Sequence, residues 1–179
     1  MARVALVYGT TEGQTATIAE RVADVLGDAG HDPTLVHAEH SPAGFDPRAY
    51  DAVVVGASIH YGKHQSSVGR FVREHVDALG GMPSAFFSVS LTAADESDEA
   101  RETARGLLDE FLSETGWEPD ATLVVAGALR YSEYGLLKRL VMKRIARKHG
   151  GATDTSRDHE YTDWDDVERF AAEFAARLD

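Results

Sequence analysis

The sequence predicts an α/β fold in which helices cover both faces of a doubly wound, five-stranded parallel sheet. Strand-like and helix-like segments alternate along most of the chain, which is typical of such folds. The segments 51–57 and 121–129 are almost continuously apolar, as expected for strands buried on both faces. A length of 179 residues and a hydrophobic content of 43% suit one domain, residues 1–179, with a substantial core.

Short apolar or β-branched runs predict five strands, which are Val4–Tyr8, Asp32–Val36, Asp51–Ala57, Pro83–Ser90 and Ala121–Leu129. Apolar residues spaced three or four apart predict four helices, which are Gly13–Leu26, Val68–Leu79, Asp98–Thr115 and Val167–Leu178. Pro83 can begin a strand because its missing N–H costs least there. Five strands in this arrangement predict the spatial order 2-1-3-4-5, with a ligand at the switch point between the first and third strands.

Residues from about 130 to 160, between the last strand and the last helix, are predicted to form a long insertion. The part from Arg130 to Lys148 has seven basic residues and one acidic residue, a net charge of +6 in a chain whose net charge is −12. Apolar residues recur with helical spacing through Tyr134–His149, so we expect a basic amphipathic helix. Such a helix either binds an anionic membrane surface or packs on the core with a solvated basic face.

Composition excludes several classes of function. The net charge of −12 argues against nucleic acid as a partner. The absence of cysteine excludes disulfides, cysteine nucleophiles and cysteine-ligated iron–sulfur clusters, so any redox chemistry needs another cofactor. We expect no metal site, because the histidines around the second strand are better explained as surface residues. The acidic, arginine-rich composition favours a halophilic source over compositional drift.

The chain also carries indications of where the protein works. Met1 leads almost directly into a strand, and no apolar run approaches the ~18 residues of a membrane-spanning helix. We therefore expect a cytoplasmic protein, with a peripheral contact on the inner face of the cell membrane left open. The oligomeric state is left open as well.

Residues Thr10–Thr15 join the first strand to the first helix and predict a phosphate site. The backbone N–H groups at a helix N-terminus point outward without partners, and the helix dipole adds partial positive charge. Threonine hydroxyls add donors, and Gly13 lets the backbone approach a bulky anion. The loop has neither a G-x-x-x-x-G-K-[ST] nor a G-x-G-x-x-G motif. Simple capping of the helix is the alternative.

Two further loops are expected to lie beside this one at the carboxyl edge of the sheet. They are "GASIHYGKH", residues 56–64, after the third strand, and "SVSLTAAD", residues 88–95, after the fourth. The first offers hydrogen-bonding groups and the aromatic face of Tyr61, and the second offers three hydroxyls. A phosphate site flanked by two such loops suits a flat heterocycle that carries one phosphate.

Several motifs resemble known proteins. "YGTTEGQT" is similar to the FMN-phosphate loop of flavodoxins. "GASIHYGKH", "MPSAFFSVSL", "AGALRY", "GGATDT" and "YTDW" together resemble the menaquinone-dependent protoporphyrinogen IX dehydrogenase (oxidase) family, a long-chain flavodoxin group of haem biosynthesis. The resemblance covers nearly the whole chain. Small electron-carrier flavodoxins often have threonine where Glu12 stands, whereas the quinone-dependent family tolerates an acid there.

The resemblance implies a flavodoxin-like fold with FMN at the carboxyl ends of the strands. The expected cofactor-binding residues are Thr10, Thr11, Glu12, Gly13, Gln14 and Thr15 at the phosphate, and Ser58, Ile59, His60, Tyr61, Gly62, Ser88, Val89, Ser90, Leu91 and Thr92 at the flavin ring. The family's substrate loses six electrons and a flavin accepts two, so three rounds of oxidation by quinone are implied. No acid–base pair stands out as catalytic.

The resemblance also gives the basic insertion a role, because menaquinone is dissolved in the bilayer and protoporphyrinogen IX has two propionates that arginine can bind. The candidate substrate or membrane contacts are Arg130, Tyr131, Lys138, Arg139, Lys143 and Arg144. Three alternatives remain open at this point. They are an electron-carrying flavodoxin, an FMN-dependent NAD(P)H:quinone reductase, and an interaction module that keeps the fold without flavin.

Overall fold

A computed structural model describes residues 1–95, 97–129, 147 and 159–179, and its central feature is a parallel β-sheet. The strands are β1 (Arg3–Gly9), β2 (Asp32–His37), β3 (Ala52–His60), β4 (Lys63–His64), β5 (Ser84–Ser90), β6 (Ala121–Ala126), β7 (Ala128–Leu129) and β8 (His159–Glu160). The helices are α1 (Gln14–Asp28), α2 (Ser66–Leu79), α3 (Asp98–Thr115) and α4 (Trp164–Ala175), with short 3-10 turns at Pro47–Ala49 and Thr92–Ala94.

Five strands pair in parallel in the order β2-β1-β3-β5-β6, so the predicted order 2-1-3-4-5 is confirmed. β4 adds a short antiparallel pairing to the end of β3. The sequence-based prediction contained neither β4 nor β8, because two-residue strands have too few positions to form a periodic pattern.

Successive apolar side chains of β1 point to opposite faces of the sheet, which explains why both faces are covered. Val4 and Leu6 pack with the apolar faces of α1 and α4. Ala5 and Val7 point the other way and belong to the cluster formed with α2 and α3. The fold is thus a three-layer α/β/α arrangement, with an apolar cluster on either side of the sheet.

The predicted last strand, 121–129, is interrupted at Gly127. The Gly127 N–H donates to the carbonyl of Ser90 at 3.1 Å, after which the chain leaves the parallel sheet. β7 then pairs antiparallel with β8, with Leu129 opposite His159. The apolar run is continuous through the interruption, so hydrophobic pattern alone placed the strand end too late.

The predicted insertion lies mostly outside the described residues. This applies to the predicted helix 134–149 apart from Arg147, and to Arg130, Tyr131, Lys138, Arg139, Lys143 and Arg144. None of the helices in the described ranges combines the length and apolarity needed to cross a bilayer.

Candidate functional site

The carboxyl ends of β1, β3 and β5 lie side by side at the centre of the sheet. Gly9 is in register with Ala57, and Ala57 with Ser88. From β1 the chain continues through α1 to β2 on one side, whereas from β3 it continues through α2 to β5 on the other. The loops diverge between β1 and β3, which leaves a crevice of the kind that binds ligands in open α/β sheets.

The loop after β1 presents backbone donors to this crevice. Gly13 precedes α1 with a φ of 88°, and no side chain in the described ranges caps the helix. The hydrogen bonding of the helix begins with Thr17 N–H to the Gly13 carbonyl at 3.1 Å. The N–H groups of the first turn therefore have no acceptor within the helix, and the dipole makes this end attractive to an anion.

Thr15 supports the assignment of an anion site here. This residue is only 1% exposed, yet its Oγ1 has no hydrogen-bond partner among the described residues. Ser58 Oγ, near the end of β3, is a second buried hydroxyl without a partner in the part of the chain that the structure describes. Buried polar atoms are nearly always paired, so these two hydroxyls fit a site that is completed by a ligand.

Three other side chains of this loop, those of Thr10, Thr11 and Gln14, make hydrogen bonds within the protein. Gly13 N–H bonds to Thr10 Oγ1 at 2.9 Å, which closes the turn. Gln14 Nε2 donates to Thr162 Oγ1 at 2.9 Å, toward the start of α4. Thr11 Oγ1 accepts from Gln65 Nε2 at 2.8 Å. The loop is thereby fixed from two sides, and no sequence pattern indicates the contribution of Gln65.

Glu12 turns toward the loop that follows β3. Its Oε1 lies 3.8 Å from His60 Nε2, and both side chains are partly exposed. The Glu12 carboxylate thereby connects this loop with the loop that follows β3.

The loop after β3 is a hairpin, defined here as Ile59–His64. Ile59 is opposite His64, and His60 is opposite Lys63. The two turn residues, Tyr61 and Gly62, both have positive φ values of 51° and 74°, as in the tight turns that connect hairpin strands. Tyr61 is 94% exposed, with its ring centroid 5.9 Å from that of His60. An exposed aromatic ring beside the crevice suits the stacking of a flat ligand.

The loop after β5 contributes less than predicted. Ser88 is fully buried, and its hydroxyl pairs with His64 Nε2 at 2.8 Å. Val89 packs in the core, and Ser90 Oγ accepts from the Ala93 N–H at 3.2 Å. Among the predicted residues of this segment, Leu91 and Thr92 are partly exposed beyond the strand end. The structure therefore does not bring the side chains of Ser88 and Val89 to the edge of the sheet.

His64 is the residue of the hairpin that sequence reasoning missed. Its ring centroid lies 5.5 Å from that of Phe86 and 4.8 Å from that of Phe111. Burial lowers the pKa of His64 from its ordinary 6.5 to about 4, because the charged form loses hydration. The imidazole is neutral near pH 7. Recognition of the Tyr61–Gly62 turn would have predicted β4 and placed His64 opposite Ile59.

No trio of histidine and acidic side chains in the described part of the chain is arranged to hold a metal ion. His37, the last residue of β2, and His40, three residues further on, have their Nδ1 atoms 3.2 Å apart.

The flavodoxin domain family matches residues 5–156. The chain belongs to this family. It is 39% identical over 176 residues to protoporphyrinogen IX dehydrogenase [quinone] of Escherichia coli K12, covering 97% of this chain and 95% of that protein. It is 37% identical over 171 residues to the protein of the same name from Leishmania major, covering 96% of this chain and 74% of the relative.

The resemblance predicted from the motifs is therefore confirmed: this flavodoxin-domain protein is homologous to quinone-dependent protoporphyrinogen IX dehydrogenase over nearly its full length. The fold agrees with that of solved flavodoxins. Oxidised flavodoxin 1 from Bacillus cereus superposes with a TM-score of 0.60 at 18% identity and 99% coverage of both chains. Membership of the family implies a flavin cofactor. The backbone donors before α1 and the unpaired hydroxyl of Thr15 fit a flavin that carries a phosphate.

Proposed function

We propose that this chain is an FMN-dependent enzyme that oxidises protoporphyrinogen IX to protoporphyrin IX and passes the electrons to a quinone, with menaquinone as the natural acceptor. The observation that carries the proposal is the 39% identity, over 97% of this chain, to a protein named for that reaction. A similarity that spans the chain includes both the candidate site and the basic segment, so the proposal does not rest on the shared fold alone.

FMN is proposed because its single terminal phosphate matches the site before α1. The loop Thr10–Thr15 would bind that phosphate through the N–H groups of the first helical turn and the Thr15 hydroxyl. Arginine and lysine are absent from this loop. The charge of the phosphate would therefore be balanced by backbone dipoles, which suits a cofactor held in one orientation.

The flavin, when bound, supplies the redox chemistry by accepting electrons from the substrate and giving them to the quinone. The protein's own contribution is to hold the flavin ring in position. Tyr61 would stack on the ring system, while His60 stays beside it with Glu12 at 3.8 Å. The remaining ring contacts in the proposal are Ser58, Ile59, Gly62, Ser90, Leu91 and Thr92. The side chains of Ser88 and Val89 are buried and are not among them.

The proposal extends to the basic insertion, residues from about 130 to 160. Its cationic side chains would bind the propionates of the substrate or the anionic lipid surface where the quinone is dissolved. The residues concerned are the cationic Arg130, Lys138, Arg139, Lys143 and Arg144, together with the neighbouring Tyr131. A cytoplasmic protein with a peripheral membrane contact would meet both reactants.

An anaerobic assay tests the proposal. The protein is purified in high salt, as its predicted halophilic origin requires, loaded with FMN, and mixed with protoporphyrinogen IX and a menaquinone analogue. Porphyrin fluorescence should rise only when both flavin and quinone are present. An FMN-loaded protein that forms no porphyrin, in salt where a control enzyme is active, would instead favour an electron carrier. Flavin-dependent oxidation of NADH by quinone would favour a reductase, and failure to bind FMN would favour a flavin-free module.

A further inference from the structure

We propose that His64 and Ser88 form an anchor that positions the hairpin Ile59–His64 over the crevice, which makes His64 a positioning residue for Tyr61 and His60. The part of this inference that concerns a ligand rests on the proposed flavin function. The part that concerns the order of the hairpin stands independently.

The hairpin needs such an anchor because it has little structure of its own. β4 contributes only two residues to its pairing with β3. Isolated two-stranded ribbons are marginal in water. Tyr61 has a positive φ of 51°, and a left-handed backbone disfavours residues with a Cβ. The turn residues Tyr61 and Gly62 and the adjacent Lys63 are exposed, so their packing does little to hold the tip in place.

His64 supplies the missing connection. From the base of the hairpin its imidazole reaches Ser88, which is fully buried in the centre of β5. Ser88 is in register with Ala57 of β3 and Val124 of β6. The same ring contacts Phe86 of β5 and Phe111 of α3. One side chain therefore joins the hairpin to the sheet and to a helix.

The chemistry of the pair favours a permanent connection over a switch. A neutral imidazole and a hydroxyl can each donate or accept, so the 2.8 Å contact is satisfied in either tautomer. Loss of either partner leaves the other polar atom unpaired in a mainly apolar setting, which costs more than an exposed contact would. By contrast, the Glu12–His60 contact is 3.8 Å long and partly exposed, so it restrains the hairpin weakly.

Substitutions from both sides of the contact test the anchor. Ser88→Ala removes the partner in the sheet, and His64→Phe keeps a flat ring but removes the hydrogen bond. His64→Gln keeps a group that can bond to Ser88. The matched control is Ser84→Ala, since Ser84 is a second buried serine of β5 whose hydroxyl accepts from Trp117 Nε1 at 3.2 Å, at the opposite end of the strand.

Amide hydrogen exchange of the flavin-free protein is the first measurement. Exchange at residues 59–64 should rise about tenfold in Ser88→Ala and in His64→Phe. His64→Gln should recover much of the protection. Ser84→Ala should accelerate exchange around β5 and Trp117 without a selective effect on the hairpin. FMN titration is the second measurement, and the dissociation constant should rise by about tenfold in the first two variants only.

Unchanged hairpin exchange in both Ser88→Ala and His64→Phe would overturn the anchor, as would an equal effect of Ser84→Ala. If one of the two variants fails to fold, the other acts from the opposite side of the same contact. Selective loss of hairpin protection, in a protein that does not bind FMN at all, would support the anchor while overturning the proposed function.

Discussion

The loop Thr10–Thr15 and the hairpin Ile59–His64 follow neighbouring strands and border the same crevice, yet they are built differently. The loop offers main-chain N–H groups at a helix end, and most of its side chains point elsewhere. The hairpin offers the side chains of His60 and Tyr61 on a short ribbon fixed at its base. The groups that the loop presents to the crevice therefore depend mainly on backbone geometry. Those that the hairpin presents depend on individual side chains. Substitutions should affect the two in different ways.

The largest effect is expected from Gly13→Asp. A carboxylate placed at the start of α1 would repel the phosphate, and FMN binding should weaken by at least about a hundredfold. The measurement is FMN titration, followed by absorbance of the gel-filtered protein. Gly30→Asp is the matched control, because Gly30 has the same φ of 88° just after the C-terminus of α1 and open space around an added Cβ. Retained yellow colour in Gly13→Asp, or equal loss in both variants, would contradict a phosphate site in this loop.

The next largest effect is on the pH dependence of stability, and it arises from His64 of the hairpin. Because the folded protein holds the pKa of His64 at about 4, the unfolded chain binds a proton first as the pH falls below 6.5. The contribution of His64 to stability is thus complete above pH 6.5 and is lost progressively between pH 6.5 and 4. From pH 7 to 5 the free energy of unfolding should fall by about 2 kcal/mol more in the wild type than in His64→Gln.

Urea titrations of both proteins at each pH measure this difference. The contributions of the other histidines to the pH dependence are the same in both proteins and therefore cancel. Parallel pH profiles for the two proteins would mean that His64 is protonated as easily in the fold as in the unfolded chain.

Thr15→Val tests the proposed phosphate site in the loop Thr10–Thr15. The Thr15 hydroxyl is one of the few side-chain groups in that proposed site. The hydroxyl is buried and has no partner among the residues that the structure describes, so its removal should cost little stability while weakening FMN binding about tenfold. Thr115→Val should give the reverse pattern, because the Thr115 hydroxyl donates to the Phe111 carbonyl at 2.9 Å and lies far along α3. Thermal unfolding and FMN titration of both variants measure the two quantities. An unchanged FMN affinity in Thr15→Val would leave the unpaired hydroxyl without a ligand-binding role.

The smallest effect is expected from Tyr61→Asn. Asparagine tolerates a positive φ, so the fold should gain up to about 1 kcal/mol, whereas loss of the ring should weaken FMN binding about fivefold. Leu35→Asn, at another exposed apolar side chain on the edge strand β2, should leave FMN binding unchanged. If Tyr61→Asn loses stability and keeps its flavin affinity, the exposed ring serves the fold and not the ligand.

The same contrast explains how much of the molecule was predictable from sequence. The apolar runs gave the strand order, and Asp98–Thr115 was predicted with its observed bounds, since Ser97 caps the helix and Gly116 ends it in a left-handed conformation. The position of the loop Thr10–Thr15 at the start of α1 also followed from the pattern around β1. These features depend on local pattern and on backbone geometry, which a single sequence carries.

The side-chain features of the site depend on tertiary contacts and were not predictable in the same way. Ser88 was expected at the ligand, but it shares a strand face with Phe86 and points into the layer of α2 and α3. His64 and Gln65 gained their roles only when distant segments met, at Ser88 and Thr11. The interruption at Gly127 is likewise invisible in an apolar run.

That interruption has a consequence for how such a chain can vary. The chain leaves the sheet at Gly127, and Leu129 is paired with His159, so the two ends of the intervening 29 residues meet at one narrow neck. Closing a segment between fixed neighbouring ends costs little more as it lengthens, roughly 0.6 kcal/mol for each doubling. Evolution can therefore enlarge, shorten or replace this segment as a cassette while the sheet keeps its register. The crevice between β1 and β3 belongs to the sheet, so its geometry does not depend on the length of this segment.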